Sequence, residues 1–161
     1  MIESDAFRRA ALGAVAGLAG TVALALVLKS QEKIAPSAMP PMRDDPGRFM
    51  VNKTKQVLPS RVQEYVPDKA EALAANALRL GYGSIFGAIY GLSRRRGGSS
   101  LVEGPILGIA AWAAGYLGWL PATGLMRPVW KQKAHQAITP AAEHALYGMA
   151  TVAAYDWMVG R

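Results

Sequence analysis

A ladder of three glycines, one at every fourth position, most constrains how this chain can fold. Gly83, Gly87 and Gly91 lie in the stretch Arg79 to Leu92, RLGYGSIFGAIYGL, which carries no charge after its first residue. On a helix the three share one face, and in water each would cost roughly 1 kcal/mol relative to alanine. In lipid the backbone keeps its helical hydrogen bonds, and a glycine face lets another helix approach closely. The stretch therefore predicts a membrane helix with a packing seam.

The start of the chain gives the clearest predicted span. Residues Ala10 to Leu28 contain no charge, and at 1.5 Å per residue they reach roughly 28 Å, close to the thickness of the hydrocarbon layer. Gly13 and Gly17 give this helix a close-packing face as well. An arginine pair followed by an apolar run also resembles a cleavable signal peptide. Because the run continues to Leu28, we interpret it as an uncleaved anchor.

Between this helix and the glycine ladder the composition changes. All six prolines from 36 to 67 fall in a segment rich in charge, which excludes a span and predicts a proline-rich extramembrane loop over 31–67. The later part of this loop mixes apolar and basic residues. It fits either a helix lying on the headgroups or a solvated loop.

These segments predict an all-α fold, an integral membrane bundle of four transmembrane helices in a single domain over 1–161. Short connections make neighbouring helices antiparallel, so both termini lie on one side. We place them in the cytoplasm because dense basic charge at residues 8–9 and 94–96 flanks short connections. Counting every Lys and Arg between the helices gives the opposite orientation. The predicted helices cover about 5–30, 68–94, 100–120 and 140–159.

Glycines at helical spacing are the predicted packing residues of the first three helices. Such faces exceed what one compact bundle needs, so they favour docking against helices of partner subunits. The predicted set is Gly13, Gly17, Gly83, Gly87, Gly91, Gly104, Gly108 and Gly115.

Five ionisable side chains fall in or near the predicted helices: Arg79, Glu103, Glu143, His144 and Asp156. Charges at membrane depth are expensive and face protein or water. We expect Arg79 to pair with Glu143 at one end of the bundle. Glu103 and Asp156 should lie within reach of the arginines at 94–96 at the other end. These charges either lock the bundle or form a proton or ion path.

Little in the sequence points to catalysis or to a bound cofactor. There is no cysteine, and no nucleotide-binding, hydrolase or metalloprotease motif is present. His144 is a possible axial ligand for haem or chlorophyll, but His135, the second histidine, lies outside the predicted span. We predict no metal and no cofactor other than lipid. The net charge of +7 lies mostly between the apolar segments, and no motif accompanies it that would indicate nucleic-acid binding.

The layout resembles the YagU-like proteins, a bacterial inner-membrane family of unknown function. The likeness rests on the loop motif at 40–43 (PPMR), the helix opening at Glu103-Gly104, the exit at 120–128 (LPATGLMRP) and the helix start at 143–148 (EHALYG). It implies a multi-pass protein of the bacterial inner membrane.

Three functions are compatible with this sequence, none of them enzymatic. The first, which we favour, is a non-catalytic accessory subunit whose helices pack against other subunits of a larger membrane complex. The second is a small transporter, channel or acid-stress membrane protein. The third is a subunit that holds haem or chlorophyll in an energy-converting complex.

Overall fold

The computed structural model describes residues 2–63, 67–94 and 99–161, and over these ranges the chain is helical. The described residues form no strand; one isolated antiparallel bridge joins Met42 to Met126. A π-helical segment, Ala114–Trp119, connects α5 to α6, and two 3-10 turns cover Pro36–Ala38 and Val129–Lys131. The α-helices are α1 (Ile2–Ile34), α2 (Pro46–Gln56), α3 (Ser60–Gln63), α4 (Asp68–Ser93), α5 (Ser100–Ala113), α6 (Leu120–Ala122) and α7 (Ala134–Met158).

Two helical stretches are long and apolar enough to cross a membrane: Asp5–Ile34 in α1 and Ser100–Ala122, which runs from α5 into α6. Because the described residues are helical and form no strand, the all-α prediction is confirmed. Helices α4 and α7, which the sequence also predicts as spans, have similar lengths but carry more charge. Arg79 lies within α4, and both Glu143 and Asp156 lie within α7.

The long helices pack in the order α4, α1, α7, α5. Helix α1 lies close against α4 and α7, and α5 lies close against α7. Helices α4 and α5 are joined mainly through tyrosine side chains. The hydroxyl of Tyr82 donates to the carbonyl of Ala111 at 2.8 Å, and that of Tyr90 donates to the carboxylate of Glu103 at 2.8 Å. The bundle thus has three close interfaces and one wider, tyrosine-bridged side.

Glycine backbones form the seam between α1 and α4. A Cβ atom built on Gly13 would overlap the carbonyl oxygen of Gly87, and one built on Gly17 would overlap that of Gly83. On the α4 side, a Cβ on Gly91 would meet the Cα of Gly13 at 3.1 Å. At these positions the absence of a side chain is what allows the two backbones to touch.

A second glycine seam joins α5 to α7. A Cβ on Gly108 would overlap the carbonyl oxygen of His144, and a Cβ on Gly148 would overlap that of Gly104. Gly115 differs, because a Cβ there would meet nothing closer than the hydroxyl of Tyr82, at 3.5 Å. The prediction that the glycine faces are left over for partner helices is therefore wrong. The chain's own helices cover the predicted glycines, and Gly115, although it lies in no close backbone contact, is buried as well.

The proline-rich segment between α1 and α2 folds back onto the end of the bundle away from the termini. The backbone N–H of Arg43 donates to the carbonyl of Leu125 at 3.0 Å, beside the Met42–Met126 bridge. Leu125 and Met126 form an apolar cluster with Tyr116 of the π-helical segment and Leu120 of α6, and Phe49 of α2 packs against it. Both long connections are thereby attached to one end of the helices.

Helix α7 begins at Ala134, six residues before the predicted start. The side chain of Gln136 accepts the backbone N–H of Lys133 at 3.3 Å, which closes the first turn. Pro140, expected at the helix start, lies inside the helix and is buried. The mixed apolar and basic segment contains α2 and α3; residues 64–66 lie outside the described ranges.

Candidate functional site

Arg94, the residue that follows α4, connects three helices at the end of the bundle where both termini lie. Its side chain is 5% exposed and pairs with Glu103 of α5 and with Asp156 of α7. The distance from its Nη2 to Oδ1 of Asp156 is 3.2 Å. One buried guanidinium therefore joins three helices.

Neighbouring hydroxyl groups complete this network. Ser100 at the start of α5 donates to Asp156, and Tyr90 donates to Glu103 while its ring lies 5.5 Å below the Arg94 guanidinium. Buried ions need several partners to offset the cost of desolvation. This arrangement therefore favours a structural role, in which the network holds the three helices together. The structure brings Glu103 and Asp156 to Arg94 as expected; residues 95 and 96 lie outside the described ranges.

The predicted pair of Arg79 and Glu143 does not form. Arg79 projects outward from α4 and pairs with Asp45, which precedes α2. Half of the Arg79 side chain is exposed, whereas Glu143 is 5% exposed and faces the interior. The prediction failed because Arg79 lies on the outward face of α4, whereas Glu143 lies on the buried face of α7.

Glu143 begins a polar stripe along the buried face of α7. Tyr147, Thr151 and Tyr155 follow at one-turn intervals, and each of the four residues is at most 5% exposed. Tyr147 donates to the carbonyl of Gly83 at 2.7 Å, and Thr151 donates to the carbonyl of Tyr147 at 2.9 Å. For the Glu143 carboxylate, the described residues provide no ion pair. These four residues occur at every fourth position of the sequence, and this spacing could have been used to predict the stripe.

His144 lies one residue further round α7 and faces α5. Its Nδ1 is 2.8 Å from the carbonyl oxygen of Pro140, and its ring meets that of Tyr116 edge-on at 5.6 Å. His135 lies on the surface, where its Nε2 is 3.2 Å from the carbonyl oxygen of Ser37. Within the described ranges, no three His, Asp or Glu side chains cluster as a metal site would require. Ligation of haem or chlorophyll by His144 stays a prediction.

A polar cleft of about 330 Å³ opens between the start of α2 and the first half of α4. Asp44, Asp45 and Arg48 line one wall, and Asn76 and Arg79 line the other. The two carboxylates and two guanidinium groups balance in charge, so this cleft can accept a ligand that carries both signs.

Comparisons of the chain with protein-family models, curated proteins and solved structures found no match. The resemblance to the YagU-like family stays a prediction.

Proposed function

We propose that all four long helices cross a membrane and that the chain acts there as a non-catalytic structural subunit. The observation that carries this proposal is the inverted polarity of the bundle. Its interior holds glycine seams, tyrosine and threonine hydroxyls and the carboxylates of Glu143 and Asp156, whereas large aliphatic side chains lie on its outside. A water-soluble bundle has the opposite distribution.

The two less apolar helices share this inversion. Ile85 and Ile89 of α4 are 60% and 52% exposed, and Leu146 of α7 is 50% exposed. In lipid these side chains face hydrocarbon, while the charges of the same helices point inward or lie near the helix ends, except Arg79, which projects outward and pairs with Asp45. The outer aliphatic side chains on the four helices include Val15, Leu18, Val22, Leu26, Leu78, Leu80, Ile85, Ile89, Leu101, Val102, Ile106, Ile109, Leu117, Ile138 and Leu146.

The structural role is supported by how the ionisable groups are used. Arg94, Glu103 and Asp156 are bound to one another, and Arg79 is bound to Asp45. Because the glycine seams are covered, contact with partner subunits would use the outer aliphatic faces. The bacterial inner membrane, with cytoplasmic termini, is the location that we propose from the family resemblance and the basic residues.

Single-cysteine labelling tests the four spans directly, because the chain has no cysteine of its own. Four spans place Ser37→Cys and Thr123→Cys on the same side of the membrane, with Ser99→Cys on the other. If only the stretches 5–34 and 100–122 crossed, Ser37→Cys and Thr123→Cys would lie on opposite sides. Labelling with an impermeant maleimide in sealed vesicles, before and after lysis, distinguishes the two outcomes.

The subunit role is tested by mild detergent extraction of the native membrane, a native gel and mass spectrometry of the band. We expect the chain to migrate with other membrane proteins at a fixed stoichiometry. Migration as a monomer or small homo-oligomer would overturn the subunit role and leave the four-span topology intact.

Glu143 supports a second candidate, a small proton or ion transporter. It is a buried carboxylate without an ion-pair partner among the described residues, and buried intramembrane carboxylates commonly mark ion pathways. In proteoliposomes, transport would give a proton flux that Glu143→Gln abolishes and that Glu32→Gln, at an exposed position, leaves unchanged. Equal background leakage from all three proteins would exclude this candidate.

A further inference from the structure

We propose that the cleft between α2 and α4 binds a headgroup that carries a phosphate and a primary ammonium, as in an aminophospholipid. The proposal rests on the proposed four-span membrane topology for the source of the ligand. The charge pattern of the cleft is independent of that topology.

The cleft has a fixed backbone shape. The start of α2 packs directly on α4, since a Cβ on Gly47 would lie 2.6 Å from the carbonyl oxygen of Ala75. Asp45 caps α2 by accepting the backbone N–H of Arg48 at 3.0 Å, and its other oxygen pairs with Arg79. The two walls are thereby held together before any ligand arrives, which lowers the entropic cost of binding.

One charge of each sign is left available at the mouth. The guanidinium of Arg48 forms no ion pair with any described residue, and the same holds for the carboxylate of Asp44. Asp44 accepts the backbone N–H of Asp45 at 2.7 Å and is exposed. A guanidinium suits a phosphate, and a carboxylate suits an ammonium that can donate hydrogen bonds.

The position of the cleft on α4 fits a lipid. The first turn of α4 carries Asp68 and Glu71, and exposed aliphatic side chains follow on the same helix at Leu73, Leu78, Leu80 and Ile85. Arg79 is the last charged residue of α4, so it marks the boundary between the charged and the uncharged part of the helix. In a membrane-spanning helix a long arginine side chain can extend from such a boundary to headgroup level. A lipid bound there can place its headgroup in the cleft and its chains along α4.

The test is lipid binding to the intact, purified chain by native mass spectrometry. Phosphatidylethanolamine, phosphatidylcholine and phosphatidylglycerol with identical acyl chains are titrated in turn. We expect phosphatidylethanolamine to bind about fivefold more tightly than phosphatidylcholine, the upper end of what an exposed ion pair provides. The quaternary ammonium of phosphatidylcholine cannot donate hydrogen bonds, and phosphatidylglycerol has no ammonium.

Asp44→Asn should reduce phosphatidylethanolamine binding to the level of phosphatidylcholine, whereas Arg48→Ala, which removes the phosphate contact, should weaken the binding of both lipids. The controls are Lys53→Ala on α2 and Asp68→Asn on α4, which remove the same charges outside the cleft and should change nothing. Equal binding of all three lipids would overturn the proposal. So would preferential binding of phosphatidylglycerol, which would indicate a simple basic surface.

Free O-phosphoethanolamine distinguishes a lipid headgroup from a soluble compound as the ligand of the cleft. One outcome is that O-phosphoethanolamine binds, that the same two variants abolish this binding, and that no lipid is preferred. This outcome would support recognition of the two charges and reject a lipid as the ligand. Binding that is equal for phosphocholine would reject the recognition itself. Failure of the four-span topology would be seen in the cysteine labelling, separately from either result.

Discussion

Asp156, two residues before the last residue of α7, lies 3.2 Å from the guanidinium of Arg94, the residue that follows α4. The two residues are separated by 62 positions in the sequence, yet they meet in a site where the arginine is 5% exposed. Since Glu103 binds the same guanidinium, a single side chain connects three helices at this end of the bundle.

Loss of Arg94 should strongly destabilise the bundle. Arg94→Ala leaves two carboxylates without their cation, and removing one partner of a buried ion pair costs about 3–5 kcal/mol. Arg79→Ala removes a half-exposed cation and should cost under about 1 kcal/mol. Thermal unfolding of both variants in the same detergent, followed by circular dichroism, measures the difference. Equal melting temperatures would show that the Arg94 network contributes no more than a surface pair.

Methyl groups placed in the glycine seams should separate the helices. Gly108→Ala and Gly87→Ala each introduce a Cβ that overlaps a facing carbonyl oxygen, and overpacking of this kind costs about 1–3 kcal/mol. Gly81→Ala is the matched control, because a Cβ there meets nothing within 4 Å. It should leave the free energy of unfolding unchanged or raise it slightly through helix propensity. Destabilisation by all three substitutions alike would contradict the assigned seams.

The hydroxyl of Tyr147 should contribute measurably to the joint between α7 and α4. It donates to the carbonyl of Gly83 at 2.7 Å from a buried position, so Tyr147→Phe should cost about 1 kcal/mol. In Tyr155→Phe the lost contact to Gly91 is 3.5 Å long, and we expect almost no effect. Chemical unfolding of the two variants in mixed micelles provides the comparison. A larger loss for Tyr155→Phe would contradict this account.

Leu125 should be the most sensitive residue outside the long helices. It is 1% exposed within the cluster that attaches the proline-rich segment, and Leu→Ala at such a site costs about 2–5 kcal/mol. Leu101→Ala, at a position 77% exposed, tests the outer surface and should change stability little. Limited proteolysis near residues 36–45 should accelerate only in Leu125→Ala. Unchanged proteolysis would show that the cluster does not hold this segment.

Local patterns in the sequence predicted the four long helices and most of the glycines that form their seams. The glycine spacing in α1, α4 and α5 identified faces on which backbones meet, because periodicity alone specifies a helix face. It did not identify what covers each face. Gly148 of α7 faces Gly104 and Gly108, and this glycine was not among the predicted packing residues.

Pairing of charges was predicted only in part, for a physical reason. Glu103 and Asp156 lie near helix ends that the topology brings to Arg94, so antiparallel packing alone was enough. The partner of Arg79 depended on how α2 folds back onto α4, which is set by Gly47 and the cap at Asp45. Contacts of that kind arise from tertiary packing and leave no periodic signal in the sequence.

The order of the seams along the chain has a consequence for biosynthesis. Helix α1 meets α4, the next long helix to be synthesised, and α5 meets α7 in the same way. Each glycine seam can therefore close as soon as its second helix leaves the ribosome. The contact between α1 and α7 has to wait for the whole chain. We expect assembly to proceed through two preformed hairpins, with Arg94 and Asp156 meeting in the final step.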